Sequence, residues 1–165
     1  MKNTNQSLFD KYEMIKDLGT GSSGSVTLVR HISMDQERAL KKVPKASAFA
    51  ESALSEARLL KSLEHPSIPR IFDFEEDNAF YYIVEEYIDG ETLDSFLLHQ
   101  QLISPGLFFN ICEQLCNVFI YLHTQISTPI IYRDLKPEHI IVCHNKLKLS
   151  ILAYRHMLSR MEITS

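Results

Sequence analysis

The apolar residues of this chain change their spacing near Asp89-Gly90, and this change limits the folds open to it. Before that point, short runs rich in β-branched and aromatic residues alternate with turn residues, a pattern that predicts strands. After it, apolar residues recur at the three- to four-residue spacing typical of helices. We therefore expect a β-rich unit over residues 1–88 and a largely helical unit over 89–165, together an α+β fold.

Five β runs and one helical run make up the first half. The helical run extends from about Ala48 to Leu63, between the third and fourth β runs. The β runs are Tyr12–Leu18, Ser25–Arg30, Glu37–Val43, Arg70–Glu75 and Phe80–Glu85. This order predicts a five-stranded antiparallel sheet that carries one helix.

The second half begins with two helical runs. Glu91–Gln100 predicts a short helix, and Ser104-Pro105 is typical of the start of a longer one that reaches about Thr124. The apolar face of the longer helix is wide enough to predict burial on most sides. Because the chain offers few helices to cover that face, we expect the exposed apolar face to drive self-association, partner binding or aggregation. Short β runs follow at Ile130-Ile131, Ile140–Val142 and Leu147–Leu149.

Composition excludes several classes of protein. Seventeen Lys and Arg against 21 Asp and Glu give a net charge of −4, which argues against nucleic-acid binding. The three cysteines, Cys112, Cys116 and Cys143, form no CxxC motif, so we expect no disulfide framework and a reducing, cytoplasmic location. No apolar run reaches membrane-spanning length, so we expect no membrane segment.

Three glycines near the start carry the first chemical signal. Gly19, Gly21 and Gly24 form GxGxxG, and a strand rather than a helix follows them, which excludes a dinucleotide-binding βαβ unit. Glycines in a hairpin let backbone N–H groups approach a phosphate without a Cβ in the way. The alternative is a tight turn with no ligand.

A lysine on the third strand and a glutamate on the helix form the second signal. Strand alternation puts Lys41 on the same face as Ala39 and Val43, and a Lys on an inner face needs an anionic partner. The residues near Glu56 on its helical face are Ala53, Ala57 and Leu60. We expect Glu56 to point inward and pair with Lys41, the alternative being that both side chains are solvated.

The third signal is the loop Tyr132–His139, which reads YRDLKPEH. It places Asp134 and Lys136 two residues apart, just before a proline and between apolar segments. This combination indicates a functional site more specifically than a glycine pattern does. The alternative is that Arg133 and Asp134 form a local ion pair in a turn.

Taken together and in this order, these residues resemble the eukaryotic-like serine/threonine protein kinases, with details closer to bacterial members. The resemblance covers about Tyr12 to Leu149. It implies the kinase fold, with a five-stranded N-lobe that carries one helix and a partial helical C-lobe. It also implies that ATP is bound and that the γ-phosphate is transferred to Ser or Thr of a protein substrate.

The resemblance assigns roles to the residues that handle phosphate. The loop Gly19–Gly24 would cover the ATP phosphates, and Lys41, held by Glu56, would bind the α- and β-phosphates. Asp134 would accept or orient the proton of the substrate hydroxyl, and Lys136 would neutralise charge near the γ-phosphate.

The resemblance also assigns the adenine site. Val26 and Ala39 would pack on one side of the base, and Ile141 would close the other side. The backbone from Glu86 to Ile88 would hydrogen-bond the adenine edge.

The chain departs from the family where Mg²⁺ would bind. His139 stands where the family has a metal-binding Asn, and Ile151-Leu152-Ala153 stands where it has Asp-Phe-Gly. Mg²⁺ prefers oxygen ligands, so we expect both protein ligands to be missing and activity to be impaired or lost. An acidic residue, Glu85, also stands at the family's gatekeeper position near the predicted nucleotide site, where it would either turn to solvent or pair with a nearby Lys.

The chain reaches Ser165 without an APE motif, which suggests a kinase sequence cut short by truncation or a frameshift. Four readings stay open at this point. The chain is an impaired ATP-binding kinase, a pseudokinase that serves as an interaction module, a gene remnant, or a kinase completed by another chain.

Overall fold

The computed structural model describes residues 7–21, 24–100, 102–124, 129–132, 135–144 and 146–149, and of Glu56 only the backbone. Contacts divide the chain into two compact units. One unit contains Arg70–Tyr87 and the described residues up to Ser62. The other contains Leu63–Pro69 and the described residues from Ile88 to Leu149.

The first unit is built on the predicted five-stranded antiparallel sheet. Its strands are β1 Tyr12–Gly21, β2 Gly24–His31, β3 Gln36–Pro44, β4 Ile71–Glu76 and β5 Phe80–Glu86. Their order in the sheet is β1-β2-β3-β5-β4, which places β3 at the centre. β1 runs farther than predicted because Gly19 and Gly21 stay paired with β2, through a register shift between Asp17 and Gly19.

The helix of the first unit, α2, spans Ala50–Lys61 and is shorter than predicted at both ends. Its apolar stripe is buried as expected, and includes Ala53, Ala57 and Leu60. The helix ends where the Ser62 N–H donates to the carbonyls of Leu59 and Leu60.

A one-turn helix that the sequence did not predict, α1 at Leu8–Lys11, precedes the sheet. The Leu8 N–H donates to a carboxylate oxygen of Glu75 at 2.6 Å, and the Lys11 ammonium lies 2.7 Å from a carboxylate oxygen of Asp73. Leu8 belongs to a buried cluster with Tyr12, Val29, Leu40, Tyr82 and Val84. This cluster covers one face of the sheet, opposite the face that carries Lys41.

The second unit combines two helices with a small sheet. Its elements are β6 Glu91–Thr92, α3 Leu93–His99, α4 Pro105–Thr124, β7 Ile140–Cys143 and β8 Lys146–Leu149, with strand order β6-β7-β8. The prediction of a helix from Glu91 was wrong for two residues, because Glu91 and Thr92 pair with β7. The predicted strand at Ile130-Ile131 was also wrong, since Ile130 instead donates its N–H to the Leu122 carbonyl.

Helix α4 begins as predicted, with the Ser104 hydroxyl accepting the Leu107 N–H at 3.2 Å. Its predicted burial on most sides was wrong in the described part of the chain. Val118 and Leu122 are buried, whereas Phe108, Phe109 and Ile120 are more than half exposed.

The polar stripe of α4 contacts its own unit. Gln114 accepts the Leu147 N–H at 2.8 Å, and the Tyr121 hydroxyl accepts the Glu64 N–H at 2.8 Å. Polar side chains face this side because the backbone donors of β8 and of Leu63–Pro69 need acceptors there. None of the helices in the described part of the chain combines the length and the apolar content that crossing a membrane requires.

Candidate functional site

Lys41 lies at the centre of the sheet, where strand alternation places it. It pairs with Val26 on β2 and with Ile83 on β5, and its side chain is only 3% exposed. Ala39 and Val43, on the same face, are fully buried. Burial of an ammonium is costly unless an anion offsets it, so this face of the sheet is suited to hold a cation against a negative group.

The glycine loop is a hairpin between β1 and β2. Gly21 is paired with Gly24, and Ser22 and Ser23 between them lie outside the described residues. Gly24 has φ +129°, and a Cβ built on it would lie 2.0 Å from the Lys42 carbonyl oxygen. The strand architecture therefore requires glycine at this position, whether or not a phosphate binds there.

The side chain of Glu56 lies outside the described residues, so its pairing with Lys41 stays a prediction. The backbone of Glu56 is in the middle of α2. Its neighbours on the helix, Ala53 and Ala57, are buried, as the predicted inward face requires.

Two adjacent carboxylates end β5, and they differ in environment. Glu85 is 2% exposed and pairs with Ala39, which puts it on the Lys41 face and shows that it does not turn to solvent. Glu86 is half-buried, and its N–H donates to the Arg70 carbonyl at 2.9 Å. Because that N–H is used within the unit, it is not available to a ligand.

The second unit holds the other predicted adenine-contacting residues. Ile88 is half-buried, and Ile141 is buried on β7 between Thr92 and Lys148. Sequence reasoning missed Gly90 here. A Cβ on this glycine would lie 2.4 Å from the Val142 carbonyl oxygen, and the Asp-Gly pair in the sequence was the signal that could have revealed it.

The predicted catalytic loop is described only from Leu135 onward, so Asp134 lies outside the described residues. Lys136 is half-buried and precedes the 3-10 turn Pro137–His139. Its carbonyl accepts the His139 N–H at 3.0 Å, a bond that fixes the start of this turn.

His139 does not fit a magnesium site. Its imidazole is 8% exposed and has its Nε2 3.8 Å from a carboxylate oxygen of Glu138. Mg²⁺ demands oxygen ligands in near-octahedral geometry, which an imidazole nitrogen does not supply. Ile151, at the other family position, lies outside the described residues. Within the described residues, no three His, Cys, Asp or Glu side chains are grouped to hold a metal ion.

Each unit also carries a surface cavity that the sequence did not predict. In the first unit, a cavity of about 450 Å³ lies beside Arg38, whose guanidinium stacks 3.8 Å from the centre of the Phe72 ring. In the second unit, a groove of about 260 Å³ is lined by His65 and Gln114. Burial, with a smaller contribution from the positive charge of Lys148, lowers the pKa of His65 below its ordinary value, and its Nδ1 accepts the Ser67 N–H at 3.0 Å.

Comparison with known proteins places this geometry in a family. A family model described as the protein kinase domain matches residues 12–152. The serine/threonine-protein kinase PrkC of Bacillus subtilis is 30% identical over 159 residues, which cover 93% of this chain and 24% of that protein. Calcium-dependent protein kinase 4 of Plasmodium falciparum is 34% identical, with coverage of 86% and 27%. The chain thus spans about a quarter of the length of these curated relatives.

A solved structure agrees with the sequence comparison. The crystal structure of Rad53 1-466 in complex with AMP-PNP superposes with a TM-score of 0.78 at 25% identity. The match covers 87% of this chain and 39% of that one. Because the family model matches most of this chain, the chain belongs to the protein kinase domain family.

Proposed function

We propose that this chain is an ATP-binding domain of serine/threonine protein kinase type in which phosphoryl transfer is impaired. In this proposal residues 1–88 form the N-lobe and residues 89–165 form part of the C-lobe. The acceptor is a Ser or Thr hydroxyl of a protein, and the cysteine content favours a cytoplasmic location. The observation that carries the proposal is the burial of Lys41 at the centre of the sheet.

The proposed binding roles follow the family assignment. Lys41 binds the α- and β-phosphates, beneath the hairpin that contains Gly19, Gly21 and Gly24. Val26 and Ala39 are apolar, buried and adjacent to Lys41 on the same face, which suits contact with a flat base. The nucleotide analogue in the Rad53 complex supports ATP as the ligand.

The proposed impairment follows from the metal positions. Transfer of a phosphoryl group depends on positioning and on electrostatic stabilisation, much of it supplied by Mg²⁺. With His139 and Ile151 at the two ligand positions, we expect ATP binding that does not depend on Mg²⁺. Asp134 and Lys136 retain the family's catalytic residue types, so transfer is the step that fails, with a loss of at least about 10²–10³ in rate.

Thermal unfolding of the purified chain with ATP, with and without Mg²⁺, tests this proposal. ATP at about 100 times its Kd adds about 2.7 kcal/mol, which corresponds to a rise in Tm of about 5–11 °C for a chain of this size. We expect this rise without Mg²⁺ in the wild type and in Lys42→Met, and its loss in Lys41→Met. Lys42 is the matched control, because it lies on the opposite face with its ammonium 4.0 Å from the centre of the Phe80 ring.

Three results would contradict parts of this proposal. A rise in Tm that requires Mg²⁺ would mean that the chain retains a metal ligand. Equal loss in Lys41→Met and Lys42→Met would mean that charge in general, rather than Lys41, attracts the nucleotide. Transfer of labelled phosphate to a protein substrate at ordinary kinase rates would overturn the impairment.

A non-catalytic interaction module is the second candidate function. The observation that favours it is the exposed apolar surface of α4 at Phe108, Phe109 and Ile120. This candidate predicts a cooperative melt that ATP does not change, together with self-association or partner binding that Phe109→Glu weakens. Light scattering of wild type and variant measures the self-association.

A further inference from the structure

The sheet face that carries Lys41 carries a second buried charge, that of Glu85. Both side chains are at most 3% exposed. Lys41 pairs with Ile83 and Glu85 pairs with Ala39, so the two charged residues occupy diagonal positions on adjacent antiparallel strands. Diagonal neighbours have Cα atoms about 7–8 Å apart, a separation that long side chains such as Lys and Glu bridge readily.

The surroundings of this pair are apolar. Val26, Val43 and Ile83 lie on the same face and are at most 1% exposed. A carboxylate buried among such residues costs several kcal/mol unless a cation offsets it, and the same holds for the ammonium. Each of the two charges can therefore offset the free-energy cost of burying the other.

We propose that Glu85 is a positioning residue for Lys41. Its carboxylate forms a buried ion pair with the Lys41 ammonium and holds that ammonium where the phosphates of ATP bind. The inference rests on the proposed ATP binding and adds to it a residue outside the predicted Lys41–Glu56 pair. Because β3 and β5 are adjacent strands of one sheet, this anchor for Lys41 does not depend on the position of α2.

A double-mutant cycle in urea unfolding tests the ion pair itself. We expect Lys41→Met and Glu85→Met each to lower the folding equilibrium constant by at least about 100-fold, because each removes the opposite charge that offsets the burial of the other residue. If the two effects were independent, they would multiply in the double variant. We expect the folding equilibrium constant of the double variant to exceed that product by at least about tenfold. Glu37→Gln, which removes an exposed carboxylate from β3, is the control and should change little.

Additive effects in this cycle would overturn the ion pair. Should either single variant fail to give a cooperative transition, the double variant decides the matter. Recovery of the transition in the double variant supports the pair, since two methionines remove both charges of the proposed pair from this sheet face. A double variant that remains unfolded counts against it.

Calorimetric titration with ATP and with adenosine tests the positioning role. In Glu85→Gln, which keeps the shape of the side chain, we expect the Kd for ATP to rise by at least about tenfold, the range expected for a lost charged hydrogen bond. The Kd for adenosine, which has no phosphate, should stay within about twofold. An equal change for both ligands, or no change for ATP, would overturn the positioning role. A wild type that binds neither ligand would overturn the proposed function, while the unfolding cycle would still decide on the ion pair.

Discussion

Replacement of Gly24 by alanine tests whether the packing of the strands, rather than phosphate binding, requires glycine at this position. The added Cβ would lie 2.0 Å from the Lys42 carbonyl oxygen and 3.2 Å from the Val43 Cα, whereas real Cβ contacts essentially never fall below 3.0 Å. The backbone must therefore move by about 1 Å where β2 meets β3. The positive φ of +129° adds strain of about 1–3 kcal/mol for any side chain. Together these costs predict a loss of about 2–4 kcal/mol in the free energy of unfolding.

Urea unfolding followed by circular dichroism measures this loss, with no nucleotide present. Gly106→Ala is the matched control, because a Cβ there would meet nothing within 4 Å and the residue lies in the first turn of α4. That variant should gain about 0.4–1 kcal/mol, since alanine restricts the unfolded chain. A Gly24→Ala protein within about 0.5 kcal/mol of wild type would refute the claim that the strands, rather than a ligand, require this glycine.

Three further predictions concern single polar contacts. Ser104→Ala removes the acceptor for the Leu107 N–H and should cost about 1 kcal/mol in urea unfolding, whereas Ser104→Thr should cost less. Tyr121→Phe removes the acceptor for the Glu64 N–H and should cost about 0.5–1.5 kcal/mol, measured as a lower urea midpoint with an unchanged slope. Hydrogen bonds from two backbone N–H groups lower the pKa of Asp77 below its ordinary value of 3.8, so its contribution to stability is complete above that value and is lost as the pH falls through the lower, folded-state pKa. Melting curves between pH 6 and about pH 2 should show that loss in the wild type and a shallower one in Asp77→Asn.

The sequence predicted the first unit well because its signals are local and periodic. Alternation with a period of two placed Ala39, Lys41 and Val43 on one buried face, and the structure places them there. The stripe that includes Ala53 and Ala57 likewise predicted the buried side of α2. A period depends only on neighbours in the chain, so it can be read before any tertiary contact is known.

The sequence missed features whose stability comes from distant residues. A four-residue helix such as α1 has little stability of its own, and Leu8 is held by the core and by Glu75, far along the chain. The strand at Glu91-Thr92 exists because β7 offers partners, which no local pattern shows. The polar stripe of α4, with Gln114 and Tyr121, resembles a solvated face but satisfies backbone donors of other segments.

The proposed nucleotide binding and phosphoryl transfer depend on parts of this fold that differ in how strongly they are held. Lys41 lies on a central strand paired on both sides, so its position changes only if the sheet changes. His139, at a predicted metal-ligand position, ends a three-residue turn, where a change of residue type leaves the strands around Lys41 undisturbed. In the proposed function, the magnesium ligands can therefore be lost while the sheet face that carries Lys41 stays intact. The proposed Lys41–Glu85 pair fits that outcome, because a carboxylate on the sheet offsets the burial of the ammonium and anchors it even where no metal assists it.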